Sequence, residues 1–479
     1  MLKQLARDGA MYAVTAALSR GLAFLLIPVY TRLLRPSDFG IIDLVAVAGS
    51  VVNMLVTAEV AQAVARFTPE AATPDERAAL ASTALRHTVA GYALFAAVTG
   101  VLAQPIARVL FGPGTPASLV WVATASMALG GVFLLVQNQL RWELRARGYA
   151  AASVAQAAVA LGLAVVAVTV LHLGVRGALL AQAAGSLTGI LVGGWLTRHS
   201  FVGRFEWTRL AGMLRFSAPL VPGSLAVFVS LYLDRIAIGQ LLTLADLGVF
   251  GVAYRFASVS TLLLVGVQGA LTPLVYAHHA EPGTPAQLAR LLRWFSAGAL
   301  TACTAAGLFA PEVLAAFTTP AYAGARWLIP ALAPALLLGG MYIFAPGLAI
   351  AKRTGPMAAV SAGAAVVNVA LNYALIPVVG LAGAALATLA SSGTLFGLYM
   401  AASQRLYPVP HEWWRYAYAL GAFAVALAVG ARLPSGTAAG IVGKAVVLVA
   451  YAAAVVAAGL VRPHEFGRRG LRRADVRAA

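Results

Sequence analysis

The stretch TRLLRPSDFGIIDLVAVAGS (Thr31–Ser50) is similar to a second stretch 208 residues later in the chain, GQLLTLADLGVFGVAYRFAS (Gly239–Ser258). A second match occurs at nearly the same spacing, between GVRGALLAQAAGS (Gly174–Ser186) and GLAGAALATLASS (Gly380–Ser392), and the basic turns RARG and KRTG also align. The identical pairs in the first match include Leu33/Leu241, Leu34/Leu242, Asp38/Asp246, Gly40/Gly248 and Ser50/Ser258. Because three regions agree on one spacing, we interpret them as an internal duplication.

The sequence around these repeats is that of a polytopic membrane protein. Of its 479 residues, 61% are hydrophobic and only 10% are charged, whereas a soluble protein is about a quarter charged. Division into apolar stretches of about 20 residues predicts fourteen transmembrane helices, since the runs lack the alternation of barrel strands. Their approximate bounds are Ala10–Leu34, Gly40–Ala65, Thr88–Leu110, Ser118–Leu140, Tyr149–Leu171, Val175–Thr197, Phe216–Leu242, Gly248–Ala277, Leu291–Phe317, Trp327–Ile350, Met357–Val378, Gly380–Ala402, Arg415–Leu433 and Ala438–Val461.

The positions of lysine and arginine predict the orientation of these helices. With a cytoplasmic N-terminus, 24 of the 34 basic residues fall in cytoplasmic segments or at the cytoplasmic ends of helices, 7 fall in outer segments or at outer helix ends, and 3 lie deeper within helices. This distribution follows the positive-inside rule, so we expect both termini to be cytoplasmic and the basic tail to face lipid headgroups. The net charge of +18 therefore indicates membrane lipids, and not nucleic acid, as the partner of the basic residues.

The duplication predicts how the helices are organised. Six predicted helices separate equivalent points, and since six is even, the two copies have the same orientation in the membrane. We therefore predict an all-α fold of two parallel six-helix repeats, related by a pseudo-twofold axis along the membrane normal, as in secondary transporters. The predicted organisation is an N-terminal lobe at 1–199, a C-terminal lobe at 200–403, two additional helices at 404–461 and a basic tail at 462–479.

Three segments resemble a known family, the polysaccharide and oligosaccharide flippases. YTRLLRPSDFGIIDL, beginning at Tyr30, resembles their first hairpin, and LYLDRIAIGQLLTLADLGVFGVAYR, beginning at Leu231, resembles their seventh-helix signature. The segment that begins RARGYAAASVAQ resembles their fifth and sixth helices. The second helix departs from the family pattern, because Glu59 and Val60 stand where a Gly-Leu pair is commoner.

The resemblance implies a fold and a function. These flippases share a superfamily with the MATE multidrug exporters and the lipid II flippases, so it implies a MATE-like fold of two lobes around a central cavity. The implied function is translocation of a polyprenyl-pyrophosphate-linked oligosaccharide to the outer leaflet of a bacterial or archaeal cell membrane, for cell-surface polysaccharide biosynthesis. Other membrane proteins of polysaccharide biosynthesis are candidate partners.

Three arginines within the predicted helices are candidate contacts for an anionic substrate. A charge inside a span is costly and tends to face a wet cavity, and a guanidinium binds phosphate with a bidentate fork. Arg20, near the middle of the first helix, is expected to bind the pyrophosphate or a sugar carboxylate, with an ion pair to Glu59 as the alternative. Arg235 and Arg255 are the other two candidates.

The carboxylates within the helices are candidates for coupling or for structural ion pairs. Asp43 and Glu59 could each carry a coupling proton, because burial raises the pKa of a carboxyl group. We expect Asp234 to pair with Arg255, which would leave Arg235 for the cavity; a structural latch is an equally good interpretation of this cluster. His278 and His279 are predicted to be interfacial, so neither a metal site nor a cofactor is expected.

Three classes of function fit a polytopic membrane protein of this kind. A flippase for lipid-linked oligosaccharide is favoured, since the intramembrane arginines suit an anionic substrate. A multidrug cation antiporter is the alternative, although it should present an excess of acidic residues to its drug. A glycan polymerase or ligase would need a sizeable outer loop, which the sequence lacks, and no nucleotide-binding P-loop occurs. We therefore do not expect an enzyme.

Overall fold

A computed structural model describes residues 11, 15, 18, 21–22, 24–264, 267, 275, 278–351 and 353–462. Over these residues the chain is helical and contains no β-strand. The α-helices are α1 (Phe24–Leu33), α2 (Pro36–Thr57), α3 (Val60–Phe67), α4 (Pro74–Val101), α5 (Ala103–Phe111), α6 (Ala117–Trp142), α7 (Ala146–Thr169), α8 (Gly174–Leu196), α9 (Trp207–Ser217), α10 (Val221–Leu241), α11 (Leu244–Ser258), α12 (Thr284–Leu308), α13 (Ala310–Phe317), α14 (Ile329–Gly340), α15 (Gly347–Ile350), α16 (Thr354–Val379), α17 (Leu381–Leu406), α18 (Trp413–Gly430) and α19 (Ala438–Ala457). Short 3₁₀ turns occur at Thr68–Glu70, Arg198–Phe201, Ala218–Leu220, Val259–Thr261, Pro320–Trp327 and Met341–Phe344.

The described helices include many that can cross a membrane. Nine are long and apolar enough to do so within the described part of the chain, and eleven if each of two bent helix pairs counts as one span. The all-α multi-pass prediction is thus confirmed, but the number of fourteen is not. The three predicted helices outside this count correspond to α1, α10 and α18.

Two predicted transmembrane helices are bent. α4 and α5 meet at an angle of 81°, and α12 and α13 meet at 60°. The residue between the helices has nearly the same conformation in both pairs: Leu102 has φ −91° and ψ 13°, and Phe309 has φ −95° and ψ 6°. Pro105 and Pro311 lie in the first turn of α5 and α13, where a proline removes one donor from the continuing hydrogen-bond ladder. The continuous helices predicted at Thr88–Leu110 and Leu291–Phe317 are corrected accordingly.

The N-terminal caps of α2 and α11 contain the same hydrogen bond at equivalent positions of the repeat. At the start of α2, the backbone N of Arg35 lies 3.1 Å from Oδ2 of Asp38. At the start of α11, the backbone N of Thr243 lies 3.1 Å from Oδ2 of Asp246. In both helices an aspartate in the first turn thus accepts from the residue three positions earlier, which satisfies an orphan donor and suits the positive end of the helix dipole. The Asp38/Asp246 pair of the repeat therefore has one structural role.

The later parts of the repeat also share backbone conformation. The N-cap of α7, Arg145, has φ −94° and ψ 65°, and the N-cap of α16, Arg353, has φ −88° and ψ 76°. Gly174, at the start of α8, and Gly380, before α17, have φ of 56° and 61°, in the left-handed region. The equivalent residues occur in the same order along the two copies of the repeat, as parallel repeats require.

By packing, the chain divides into two compact units. One consists of Met1–Arg235 with Thr243–Gly248, and the other of Ile236–Leu242 with Val249–Ala479. In the first unit, Leu210 and Met213 of α9 join a buried cluster with residues of α3, α4 and α6. In the second unit, buried residues of α12, α18 and α19 form a cluster around Tyr451. The predicted lobe boundary between residues 199 and 200 stays a prediction, since it refers to the repeat and not to packing.

Candidate functional site

A buried ion pair joins two of the predicted site residues within the first unit. Nε of Arg235, near the end of α10, lies 2.7 Å from Oδ2 of Asp43 on α2. The two side chains are only 6% and 9% exposed. The short distance and the burial make this a charge-assisted hydrogen bond in a dry environment, where it is much stronger than in water.

Aromatic rings support the guanidinium from its own helix. Arg235 lies over the ring of Tyr232, 5.2 Å from the ring centroid, as in a cation–π contact. Tyr232 in turn stacks on the buried ring of Phe228, with 4.6 Å between centroids. Spacings of three and four residues place these side chains along one face of α10. This spacing in the sequence could have indicated the aromatic stack. The prediction considered only the charged residues and did not identify it.

A close helix crossing fixes the part of α2 that carries Asp43. A Cβ added at Gly40 would overlap the carbonyl oxygen of Leu244 at the start of α11. Reciprocally, a Cβ added at Gly248 would overlap the carbonyl oxygen of Pro36. Equivalent residues of the repeat thus contact each other in a twofold manner, as in an isologous interface. Because Gly40 is three residues before Asp43, this crossing positions the carboxylate.

The remaining charged residues of the predicted site are distributed over the two units or lie outside the described residues. Arg20 lies outside the described residues. Arg255, on α11, is half-buried, and it belongs to the second unit. Asp234 is buried, with 4% of its surface exposed, and it belongs to the first unit. The Asp234–Arg255 pair stays a prediction. The bond between Arg235 and Asp43 was not predicted, because Arg235 was assigned to the cavity.

Glu59 lies at a break in the second predicted transmembrane helix, which is therefore not continuous over Gly40–Ala65. α2 ends at Thr57 and α3 begins at Val60, with Ala58 at φ 48° and Glu59 at φ 55°. Two consecutive non-glycine residues in the left-handed region are strained. The imidazole of His87 on α4 lies near the backbone of Thr57 at this break. In the flippases that the sequence resembles, glycine is commoner at the position of Glu59, and glycine would adopt this conformation without strain.

Replacement of Glu59 by glycine is expected to stabilise the protein by about 1 kcal/mol, because glycine adopts a positive φ without a steric penalty. The matched control is Glu59→Ala, which also removes the carboxylate but keeps the Cβ and the strain. Thermal unfolding of the purified variants in one detergent measures the difference. If the alanine variant is stabilised as much as the glycine variant, the carboxylate and not the backbone is the source of the strain.

A second buried ion pair was not predicted. Nζ of Lys444, in the second turn of α19, lies 2.6 Å from Oε1 of Glu312 on α13, and Lys444 is only 1% exposed. Ser435 also contacts the ammonium, at 3.2 Å. The pair ties the start of α19 to α13 within the second unit. The charge pattern of the sequence does not reveal that Lys444 is buried.

The two histidines considered as interfacial lie just before α12. His278 is within 3.9 Å of Glu281, at a separation that makes a weak ion pair only when the imidazole is protonated. Among the described residues, no three His, Cys, Asp or Glu side chains are grouped closely enough to hold a metal ion.

Comparison with known proteins identifies what the chain is similar to. Residues 29–298 match the family model described as polysaccharide biosynthesis protein. No curated protein resembles the chain closely enough in sequence to count as a relative.

Solved structures of membrane transporters share the fold. The lipid II flippase MurJ, in an inward closed conformation, superposes with a TM-score of 0.68 at 12% identity, over 93% of this chain and 98% of the other. A multidrug resistance MATE family transporter of the MOP superfamily, in an inward-facing conformation, gives 0.62 at 17% identity, over 82% and 95%. The Vibrio cholerae MATE transporter VcmN, in its bent form, gives 0.52 at 14% identity, over 85% and 100%. At sequence identities this low, the structural similarity shows that the fold is shared and nothing more.

Proposed function

Because the chain belongs to the family of polysaccharide biosynthesis proteins, we propose that it is a flippase for a lipid-linked oligosaccharide. Its substrate is a polyprenyl-pyrophosphate-linked glycan, moved from the cytoplasmic to the outer leaflet of the cell membrane with both protein termini cytoplasmic. The two lobes open alternately to the two sides of the membrane. The protein makes and breaks no covalent bond in this cycle and needs no cofactor.

The observation that best supports an anionic substrate is the buried guanidinium of Arg235. The membrane-embedded positive charge is bonded to Asp43 and supported by the Tyr232 ring. A buried charge requires a partner, and its loss costs about 3–5 kcal/mol. A pyrophosphate can replace the carboxylate as that partner, because it offers several charged oxygens to a fork-shaped donor.

This exchange gives the ion pair a role in transport. When the pyrophosphate binds, Arg235 turns from Asp43 to the substrate, with Arg20 and Arg255 as further cationic contacts. Release of the substrate lets Asp43 recover its partner. A proton on Asp43 would weaken the ion pair and so favour the exchange, which is how a carboxylate at this position could couple transport to a proton gradient. Glu59 and Asp234 have structural or coupling roles.

A cation antiporter of the MATE type is the alternative, and the same ion pair distinguishes the two functions. A cationic drug needs an acidic side chain that is not already neutralised. The carboxylate of Asp43 is bonded to Arg235, which suits an anionic ligand better than a cationic one.

Replacement of Arg20 by alanine is expected to abolish translocation, and lysine should reduce it, since lysine keeps the charge but loses the planar fork. Arg20 lies nearest the middle of its predicted helix, and its counterpart in the repeat is the neutral Phe228. A side chain that contacts the ligand need be present in only one lobe, whereas a charge required for helix packing would be expected at the equivalent positions of both lobes. The measurement is accumulation of lipid-linked oligosaccharide in the cytoplasmic leaflet of cells with each variant at matched protein level.

Arg32→Ala is the control, because Arg32 is exposed and belongs to the same predicted helix. Normal translocation by the Arg20→Ala variant would remove Arg20 from the anion site. Normal translocation by both Arg20→Ala and Arg235→Ala would contradict the anionic substrate, and drug resistance without translocation would support the antiporter.

A further inference from the structure

The break between α2 and α3 exposes the end of a helix inside a predicted transmembrane segment. α2 ends at Thr57, and neither Ala58 nor Glu59 donates its backbone N–H to a carbonyl of α2, although such a bond commonly closes a helix. The carbonyl groups at the end of α2 are acceptors that the helix itself cannot satisfy. They also form the negative end of the helix dipole.

A threonine on α4 has a buried hydroxyl that bonds to none of the described residues. Thr88 is completely buried, and its hydroxyl has no hydrogen-bond partner in the described part of the chain. Every other buried threonine that the structure describes forms a hydrogen bond through its hydroxyl, in most cases to the carbonyl four residues earlier. Buried polar groups without a protein partner are rare, and a bound ion or water is one way to satisfy them.

The neighbours of Thr88 on α4 place it beside the break. Ala84, one turn earlier, belongs to the buried cluster that contains Val60, the first residue of α3. Gly91, about one turn later, lies against α2, since a Cβ added there would be 3.0 Å from the carbonyl oxygen of Val56. Spacings of three and four residues put these side chains on one face of α4. Because Thr88 lies between a contact with α3 and a contact with α2, it lies opposite the break.

His87 provides a second unpartnered atom at the same place. Its imidazole lies near the backbone of Thr57, and its Nε2 is buried without a hydrogen-bond partner among the described residues. Two buried polar atoms of α4 therefore adjoin the end of α2, one from a hydroxyl and one from an imidazole.

The charge at the break suits a cation. Glu59 is the N-cap of α3, but its side chain accepts no capping hydrogen bond from that helix. The break thus combines a carboxylate, the carbonyl end of α2 and a buried hydroxyl, all of which offer oxygen ligands of the kind that small hard cations prefer. The carboxylate and the negative end of the helix dipole repel an anion.

The number of charged ligands favours a monovalent cation. Calcium and zinc sites use several carboxylate, histidine or cysteine ligands, and the structure groups no three such side chains within the residues that it describes. One carboxylate balances one positive charge. In secondary transporters, the carbonyl ends of interrupted transmembrane helices coordinate sodium ions.

We propose that the break between α2 and α3 binds a sodium ion. Its ligands are the hydroxyl of Thr88, the carboxylate of Glu59 and carbonyl groups at the end of α2, and His87 borders the site. The ion stabilises the left-handed conformation of Ala58 and Glu59, because it gives the uncapped carbonyl groups a partner. The site is separate from the anion contacts proposed for transport and does not depend on that function.

Sodium binding is measured with the purified full-length protein in detergent, as the rise in unfolding temperature during titration with sodium chloride. Potassium chloride and N-methylglucamine chloride at the same ionic strength are the comparisons, and neither should give the same rise. Thr88→Val keeps the shape of the side chain and removes the hydroxyl, so it should lower the affinity for sodium about tenfold. In sodium-free buffer this variant should be as stable as the wild type or more so, because it loses no hydrogen bond to the protein.

Thr99→Val is the matched control. Thr99 is buried on the same helix, and its hydroxyl donates to the carbonyl of Phe95, so its replacement should lower stability and leave the sodium affinity unchanged. Glu59→Gln removes the charge but keeps the Cβ and the strained backbone, and it should also weaken sodium binding about tenfold. The gain in stability expected for Glu59→Gly is compared without sodium, where the ion makes no contribution.

Equal protection by potassium or N-methylglucamine would show an effect of ionic strength only and would overturn the sodium site. Sodium binding at wild-type affinity in either Thr88→Val or Glu59→Gln would overturn it as well, since the ion would then be held elsewhere. Loss of stability by Thr88→Val in sodium-free buffer would show that the hydroxyl bonds to the protein or to a buried water, against this assignment. The measurement uses no glycolipid, so none of these outcomes affects the proposed flippase activity.

Discussion

Arg235→Ala is expected to abolish transport and to lower the free energy of unfolding by about 3–5 kcal/mol, because it removes the guanidinium that is bonded to the buried carboxylate of Asp43. Asp43→Ala should have a similar effect on stability for the reciprocal reason. The double variant Asp43→Asn/Arg235→Gln should recover much of the stability, since both members of the buried pair are then neutral, but it should not recover transport. Membrane level, thermal unfolding and glycolipid translocation measure these effects.

The exposed pair Arg209–Glu206 provides the matched control. Its Nε–Oε2 distance of 2.6 Å is close to that of the buried pair, but its side chains are 30% and 41% exposed. Arg209→Ala should therefore cost less than about 1 kcal/mol and leave transport unchanged. If Arg235→Ala costs no more than this control, the buried pair has no special energetic role. Transport by the stable double variant would show that the guanidinium is structural and does not contact the substrate.

Gly40→Ala should prevent α2 and α11 from crossing at their observed distance, and Gly248→Ala should do the same. The added methyl group meets backbone carbonyl oxygens, which cannot rotate away as a flexible side chain can. Overpacking costs about 1–3 kcal/mol, and contact with backbone places both variants at the upper end of that range. Since the contact is reciprocal, the two variants should be impaired equally. Fluorescence-detected size exclusion and thermal unfolding measure the loss.

Gly162→Ala is the control for these glycines. A Cβ at Gly162, within α7, would have no neighbouring atom within 4 Å. Alanine also favours a helix over glycine, so this variant should be as stable as the wild type or more so. Normal folding of either Gly40→Ala or Gly248→Ala would contradict the reciprocal crossing.

Long-range repetition was the most informative part of the sequence. The pairs Asp38/Asp246 and Gly40/Gly248 stood out by spacing alone, and the structure gives each pair one shared role, in capping and in the helix crossing. Such positions depend on local backbone geometry, which a duplicated segment inherits with its sequence. The helical fold class followed in the same way, because apolar runs of this length have few alternatives in a membrane.

Contacts between distant residues could not be predicted in this way. Asp43 and Arg235 were both recognised as intramembrane charges, but which charges pair depends on how α2 and α10 pack, and hydropathy carries no information on that. The burial of Lys444 against Glu312 was missed for the same reason. Helix breaks were only partly predictable: prolines mark the bends at α5 and α13, whereas nothing in the polar pattern marks Ala58 and Glu59 as left-handed.

Reconstitution tests the proposed flippase activity most directly. The purified protein is placed in liposomes that contain polyprenyl-pyrophosphate-linked oligosaccharide from cell membranes, and the glycan accessible to a membrane-impermeant glycan-modifying reagent is measured. We expect the protein to make the inner-leaflet pool accessible, and the stable Asp43→Asn/Arg235→Gln variant to leave that pool protected. Protection of the inner pool in wild-type liposomes as complete as in protein-free liposomes would contradict the flippase function, and exposure by the double variant as fast as by the wild type would contradict the role of the ion pair.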